Sequence, residues 1–147
     1  MAVVILGAQG RVASTVAQAV VAGGRRCLVA AAASEAWPSG AEVVAGSWAD
    51  PPTLVAAVEA AGRGARVCVI VPGDLATAEV EVAVGALCDA ASKHAAVAVL
   101  FLGVSGQNTA GATTAAGALQ AAENQGTMRL LPVISVRHTL LVSELEA

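Results

Sequence analysis

The chain has 147 residues, of which 56% are hydrophobic and 13% are charged, and its formal net charge is −3. A chain of this size suits one domain with a buried core, and the small share of charged residues excludes an intrinsically disordered protein. The acidic balance argues against a nucleic-acid surface, which needs a basic stripe. We therefore expect a single domain over residues 1–147 that does not bind nucleic acid.

The cysteine content indicates a reducing compartment. Cys27, Cys68 and Cys88 are odd in number and widely spaced, without a C-x-x-C pair, which favours core thiols in a cytoplasmic protein. No long run of large aliphatic residues predicts a membrane span, and the N-terminus lacks the basic region of a signal peptide. No His, Cys and Asp residues have metal-ligand spacing, so we expect no metal site.

Short β-branched runs alternate along the chain with longer alanine-rich segments. In chain order, the pattern predicts strand Val3–Leu6, helix Arg11–Ala22, strand Cys27–Ala31, strand Ala41–Ala45, a helix from the N-cap Asp50 to Ala61, strand Arg66–Val71, helix Leu75–His94, strand Ala96–Leu102, helix Ala112–Asn124 with Gly126 just past its end, strand Arg129–Val133 and helix Thr139–Glu146. Parallel strands need long crossovers, and strands buried on both faces read as continuous apolar runs. The alternation therefore predicts an α/β fold, a doubly wound parallel sheet of about six strands with helices on both faces.

The turn after the first strand carries the most specific motif of the chain. Gly7-Ala8-Gln9-Gly10-Arg11-Val12-Ala13 follows a strand and opens a helix. In such a motif the first glycine permits a tight turn, the second lets the backbone approach a pyrophosphate, and a small third residue lets helix and strand pack closely. The N–H groups at the start of the helix then face the phosphate oxygens. The motif predicts dinucleotide binding, with a purely architectural turn as the alternative.

This opening resembles that of the NmrA-like proteins, atypical relatives of the short-chain dehydrogenase/reductase family, which typically begin "hhGATGRxG". The segment from Ala41 to Leu54 is similar to their "AEVVxGDLxDPxSL", Val67 to Pro72 resembles their "VFLVTP", and Leu130-Leu131-Pro132 stands where they have "LRP". The resemblance implies a Rossmann-like NAD(P)-binding domain without the family's C-terminal substrate-binding part.

The departures from the family pattern concern the adenosine end of the cofactor. The family usually ends its second strand with an arginine that faces the ribose or its 2′-phosphate, where this chain has Ala30-Ala31-Ala32-Ala33. The acid of "GDL", which resembles an adenine contact, is Ser47 here. Arg11 is the remaining candidate cation for a 2′-phosphate. We therefore expect NADP or NAD to bind weakly or not at all.

The resemblance and the predicted strand ends together define the candidate site. The expected cofactor-binding residues are Gly7, Gln9, Gly10, Arg11, Val12, Ser47, Trp48 and Pro72. The expected catalytic residues lie after the carboxyl ends of strands, where such folds bind ligands, and they are Asp74, Ser105 and His138. Each has a structural alternative, as a helix N-cap for Asp74, a turn residue bonded to backbone for Ser105 and a solvated side chain for His138. For Trp48 the alternative is hydrophobic cover over the edge of the sheet.

Three functions are compatible with these residues. The chain has no tyrosine, so the Tyr-x-x-x-Lys proton transfer of ordinary short-chain reductases cannot operate. The first function is an NmrA-like redox sensor or atypical reductase. The second is a cofactor-independent isomerase, cyclase or lyase that takes a small-molecule ligand in the same crevice, and the third is a non-catalytic interaction module. The apolar stripe from Thr139 to Leu145 predicts a homodimer.

Overall fold

A computed structural model of the chain describes residues 2–8, 10–31, 37–71, 77–104 and 120–138. These residues form one parallel sheet whose strands are β1 (Ala2–Ala8), β2 (Arg26–Ala31), β3 (Ala41–Ala45), β4 (Arg66–Ile70), β5 (Ala98–Val104) and β6 (Val133–His138). The helices are α1 (Gly10–Ala22), α2 (Pro51–Ala61) and α3 (Thr77–Lys93), followed by the helical residues 120–128, which we label α4.

The strands lie in the order β3-β2-β1-β4-β5-β6, and every neighbouring pair is parallel. From β1 the chain first moves towards β2 and β3, and it then returns past β1 to add β4, β5 and β6 on the other side. A crevice opens between the loops at such a reversal, outside the carboxyl ends of the strands. The predicted doubly wound α/β fold is confirmed, and the reversal lies between β1 and β4.

The strands are apolar because each face of the sheet is covered. On one face, Leu54 of α2, Val84 of α3 and Ala122 of α4 belong to one buried cluster with alternate residues of the strands. On the other face, Ala13 and Ala17 of α1 are fully buried against β1 and β2. Small side chains on α1 bring its axis close to the sheet, which explains the alanine-rich composition of the helix. No described helix is long and apolar enough to cross a membrane.

The end of α4 and the start of β6 differ from the predictions. Gly126 was expected to follow the helix, but the helix continues past it to residue 128, and β6 begins at Val133 rather than at Arg129. A Cβ on Gly126 would lie 2.7 Å from Val133 Cγ2 and 3.3 Å from Phe101 Cε2. The glycine is therefore present for a close helix–sheet contact instead of a helix end. The turn is made by Leu130, whose φ is 57°.

The start of α2 confirms the predicted N-cap position but not a capping hydrogen bond from the aspartate. Asp50 stands at the N-cap and Pro51 follows it, but the Asp50 side chain makes no capping hydrogen bond. Instead the Thr53 hydroxyl donates to the Asp50 carbonyl oxygen at 2.6 Å and accepts from the Ser47 N–H at 3.1 Å. The turn between β3 and α2 is thus held by the side chain of Thr53, three residues after Asp50, whose carboxylate was expected to cap the helix.

Candidate functional site

The turn between β1 and α1 lies at the carboxyl edge of the sheet, beside the reversal of strand order. Gly7 has φ +68°, a left-handed conformation that favours glycine. Helix α1 begins at Gly10, so Gly10, Arg11 and Val12 form its first turn. Gln9 lies outside the described residues. The structure therefore confirms the strand–turn–helix context in which this glycine motif was expected to bind a phosphate group.

Trp48 lies directly against this glycine turn. A Cβ built on Gly7 would overlap the indole, 2.6 Å from Trp48 Cε2, and would lie 3.0 Å from the carbonyl oxygen of Ile70. The turns that follow β1 and β3 therefore meet beside the end of β4. The glycine motif explains Gly7 by the tight turn alone, whereas in the structure its missing side chain also makes room for the indole.

The indole N–H of Trp48 is buried and has no hydrogen-bond partner among the described residues. The ring itself is half-buried and packs on the core cluster that α2 and α3 cover. A buried donor without an acceptor is unfavourable by about 1–3 kcal/mol. Trp48 thus covers apolar residues of the core, as its structural alternative predicted. Its indole Nε1 atom, however, points at the glycine turn.

Ser47 shapes the turn that presents Trp48. Its hydroxyl oxygen accepts a hydrogen bond from the Ala49 N–H at 3.1 Å, while its own N–H donates to Thr53 Oγ1. The side chain is exposed at the same edge of the sheet. A serine here offers a neutral hydroxyl where the family that the chain resembles has an acid. Thr53 was missed in the sequence, because its role depends on two backbone groups that a linear motif does not show.

The end of β2 offers no polar group to a ribose. Ala30 and Ala31 are buried, and the Cα of Gly46 lies so close to Ala30 that an added Cβ would be 2.8 Å from the Ala30 Cβ. Arg26 stands at the opposite end of the strand, where its Nη2 atom lies 2.9 Å from Glu42 Oε2. This hydrogen bond from Arg26 lowers the pKa of the Glu42 carboxyl. The described end of β2 near the glycine turn thus carries two buried alanines of the run Ala30–Ala33, and the other two lie outside the described residues.

The predicted catalytic residues, together with Pro72 of the predicted cofactor-binding set, are only partly covered by the described ranges. Pro72, Asp74 and Ser105 are outside them. His138 is the last residue of β6, in register with Val104 at the end of β5, and the helix Thr139–Glu146 that was expected to follow it lies outside the described residues. Three strand spacings of about 4.8 Å separate β6 from β1. His138 therefore stands roughly 14 Å from the glycine turn, beside the strand that leads to Ser105.

The remaining reactive groups of the described residues are structural. Burial raises the pKa of the Cys68 thiol to about 12 and that of the Cys88 thiol to about 11, and burial also raises the pKa of Cys27. All three are free thiols. No group of three or more His, Cys, Asp or Glu side chains within the described ranges is placed to hold a metal ion. Trp37 packs against the cluster beneath α1, away from Trp48.

No family model and no curated protein matches the sequence. The fold is similar to that of the anaerobillin reductase ChuY from Escherichia coli O157:H7, with a TM-score of 0.73 and 19% identity over 93% of this chain and 72% of that one. The fold is also similar to that of triphenylmethane reductase from Citrobacter sp., with a TM-score of 0.73 and 18% identity over 97% of this chain and 50% of that one. A wide-type short-chain dehydrogenase/reductase from Veillonella parvula, solved in complex with NADP, has a TM-score of 0.69 and 16% identity over 92% of this chain and 68% of that one.

These similarities concern the fold. The chain spans 50% to 72% of the length of the three structures, and identities below 20% carry no residue-level correspondence. The chain thus has a Rossmann-like α/β fold.

Proposed function

We propose that this chain binds NADP or NAD at the turn between β1 and α1 and acts as an NmrA-like redox sensor or an atypical reductase. The observation that carries the proposal is the left-handed Gly7, which is followed by a helix that begins at Gly10. This turn stands at the reversal of strand order, where α/β sheets of this type bind ligands. Similarity of the fold to reductases, one of them solved with NADP, supports the same assignment.

The residues of the turn fit a pyrophosphate. Helix α1 has no acidic residue in its own first turn that would oppose an anion at its N-terminus. The N–H groups of that turn and the positive end of the helix dipole favour phosphate oxygens. The small Ala13, which is fully buried, lets the helix start close to the strand. Backbone groups of Gly10, Arg11 and Val12 would hold the phosphates.

The adenosine end of the cofactor would be held less firmly. Ala30, Ala31 and Ser47 replace the charged groups that such sites use for the ribose and the adenine, so we expect dissociation constants in the micromolar to millimolar range, which corresponds to about 4–8 kcal/mol of binding free energy. Arg11 would be the cation for a 2′-phosphate. Trp48, with its unpartnered indole N–H, would border the ligand at the ends of β1 and β4.

A bound nicotinamide would supply a hydride, and the chain would have to supply a proton without tyrosine. Of the three candidates, His138 is the residue type most often used for proton transfer, and its backbone stands at the carboxyl edge of the sheet. Asp74 and Ser105 follow neighbouring strands in the sequence. A sensor would need none of the three, because it binds the dinucleotide without turnover.

The experiment compares two arginine variants of the full chain by calorimetric titration with NADP and NAD. Arg11→Ala is expected to weaken NADP about tenfold, the loss of one charge-assisted contact of about 1.4 kcal/mol, and to leave NAD unchanged. Arg25→Ala is the matched control, because Arg25 is exposed in the turn before β2, at the opposite edge of the sheet. Equal effects of the two variants on NADP would contradict the assignment of Arg11.

The buried alanines at the end of β2 favour a second candidate function. A crevice without a ribose-binding group suits a cofactor-independent isomerase, cyclase or lyase in which Asp74, Ser105 or His138 moves a proton. Asp74→Asn and His138→Ala test this candidate once a substrate is found, and full activity in both variants would exclude it. The three buried, free thiols are consistent with a cytoplasmic protein in either case.

A further inference from the structure

The turn that follows β3 crosses the carboxyl end of β2 and reaches β1. The Gly46 N–H donates to the Ala31 carbonyl oxygen at 3.2 Å, and a Cβ on Gly46 would lie 2.8 Å from the Ala30 Cβ. Two residues later, the indole of Trp48 lies against Gly7 of β1. Because β2 stands between β3 and β1 in the sheet, the turn and the indole together span the end of β2.

This end of β2 is the side of the site to which an adenosine would bind. A dinucleotide at such a reversal of strand order places its pyrophosphate at the first helix and its adenosine half towards the second strand, whose end usually carries the ribose-binding group. Here the described end of β2 carries the buried Ala30 and Ala31 instead. The indole of Trp48 therefore lies on the adenosine side of the glycine turn.

The position of the indole suits its ring but not its N–H group. The ring packs on the core cluster, whereas the buried N–H has no hydrogen-bond partner among the residues that the structure describes. Most buried polar groups in native proteins are paired, so an exception needs an explanation. If the side chain rotated towards solvent, the N–H could bond to water. The two positions of Trp48 therefore differ in free energy by less than the burial of the ring alone would give.

The backbone of this turn is held by hydrogen bonds, so the movement can be confined to the side chain. The Ser47 N–H donates to Thr53 Oγ1, and Ser47 Oγ accepts from the Ala49 N–H, both at 3.1 Å. The Asp50 N–H donates to the Ser47 carbonyl oxygen, also at 3.1 Å. Ser47 and Ala49 are exposed on either side of the half-buried Trp48. A side chain beside solvent can change its rotamer while the turn keeps its conformation.

We propose that Trp48 is a gate on the site at the glycine turn. In the free protein its indole closes the adenosine side of that site, and it rotates away from Gly7 when NADP or NAD binds. This inference rests on the proposed function and adds a control of its affinity. The ligand binds only those molecules in which the indole has rotated, so the observed dissociation constant rises as that fraction falls. A gate that is closed in about nine molecules of ten weakens binding about tenfold.

The test titrates NADP into the full chain and its variants by calorimetry. Trp48→Ala removes the gate and is expected to bind NADP at least about tenfold more tightly than the wild type. Trp48→Phe keeps an aromatic ring but removes the buried N–H, so the closed position is favoured and NADP should bind up to about tenfold more weakly. Trp37→Phe is the matched control and should leave the affinity unchanged. Trp37 also has a buried N–H without a described partner, but it packs on the other face of the sheet.

Fluorescence follows the movement of the indole itself. Trp48 is one of the two tryptophans of the chain, so in the Trp37→Phe variant it is the only source of tryptophan emission. The emission should move to longer wavelength as NADP saturates the site, because the ring leaves the apolar core cluster for a more polar environment. Unchanged emission at saturation would overturn the proposal.

The signs of the two changes at Trp48 distinguish a gate from a ligand contact. Weaker binding by both Trp48→Ala and Trp48→Phe would show that the indole holds the ligand, and it would overturn the gate. Trp48→Leu leaves a smaller cavity and should also tighten binding, so it keeps the test if Trp48→Ala does not fold. Equal affinities of Trp48→Ala and the wild type would refute the gate alone. Absence of binding by the wild type and every variant would refute the proposed function, and the gate with it.

Discussion

Replacing Gly7 by alanine is the perturbation that most directly examines the contact between the two turns. The alanine would have to keep the left-handed backbone conformation at φ +68°, and its Cβ would overlap the indole of Trp48. The left-handed backbone of an alanine costs about 1–2 kcal/mol, and the overlap of its Cβ with the indole costs about 1–3 kcal/mol. We therefore expect Gly7→Ala to lower the free energy of unfolding by about 3 kcal/mol.

Two further variants separate the backbone effect from the clash. Gly24 has φ +74° and no heavy atom within 4 Å of an added Cβ, so Gly24→Ala should cost only the backbone term of about 1–2 kcal/mol. Trp48→Leu shortens the side chain that the new Cβ would meet and removes the unpartnered indole N–H. In the Trp48→Leu background, Gly7→Ala should then cost less than in the wild type, and the backbone conformation and the 3.0 Å approach to the Ile70 carbonyl oxygen are the costs that remain.

The assay is urea unfolding followed by far-ultraviolet circular dichroism, because the change at Trp48 alters the fluorescence. The double-mutant cycle for Gly7 and Trp48 should give an interaction energy of about 1–3 kcal/mol. Additivity within about 0.5 kcal/mol would refute the reasoning, since independent sites behave in that way. A Gly7→Ala cost equal to that of Gly24→Ala would refute it as well.

Three other predictions concern the packing and the thiols. Gly126→Ala should lower the free energy of unfolding by about 1–3 kcal/mol, because its Cβ would lie 2.7 Å from Val133 Cγ2, and a neutral result in urea unfolding would contradict that contact. Ala95→Gly should raise the free energy of unfolding by about 0.5–1 kcal/mol, because Ala95 follows α3 with φ 52°, and thermal unfolding measures the shift. Cys68 and Cys88 should resist a thiol reagent at pH 8 in the native protein and react only on unfolding. The reason is that burial raises their pKa to about 12 and about 11, and the thiolate is the reactive form. Rapid labelling without denaturant would contradict this prediction, because it would show that one of the two thiols is accessible.

Local sequence pattern predicted the first half of the sheet well. Strand Ala41–Ala45 was predicted with its observed bounds, and β1, α1 and β2 differ only at their end residues. These elements are short, strongly periodic and separated by glycines at turns, so local preference and tertiary structure agree. The lengths of the crossovers predicted that the strands are parallel, whereas the order of the strands comes from the structure.

The later elements and the details of the site depend on contacts between distant parts of the chain. Gly126 reads as a helix end, but it serves the contact of α4 with Val133 and Phe101. Likewise, the approach of Trp48 to Gly7 joins turns that are 41 positions apart in the sequence. No local pattern carries that information, because it arises only when β3 and β1 enter the same sheet. The residue types of the candidate site could be predicted, whereas their neighbours could not.

Calorimetric titration of the full chain with NADPH, NADP, NADH and NAD at low salt tests the central claim most directly. The account predicts that at least one of them binds with a dissociation constant between about 1 μM and 1 mM. It also predicts that the 2′-phosphorylated forms bind more tightly than their counterparts, because Arg11 is in the first turn of α1. Absence of binding at millimolar concentration of all four would contradict the account and leave the glycine turn as an architectural feature of the fold.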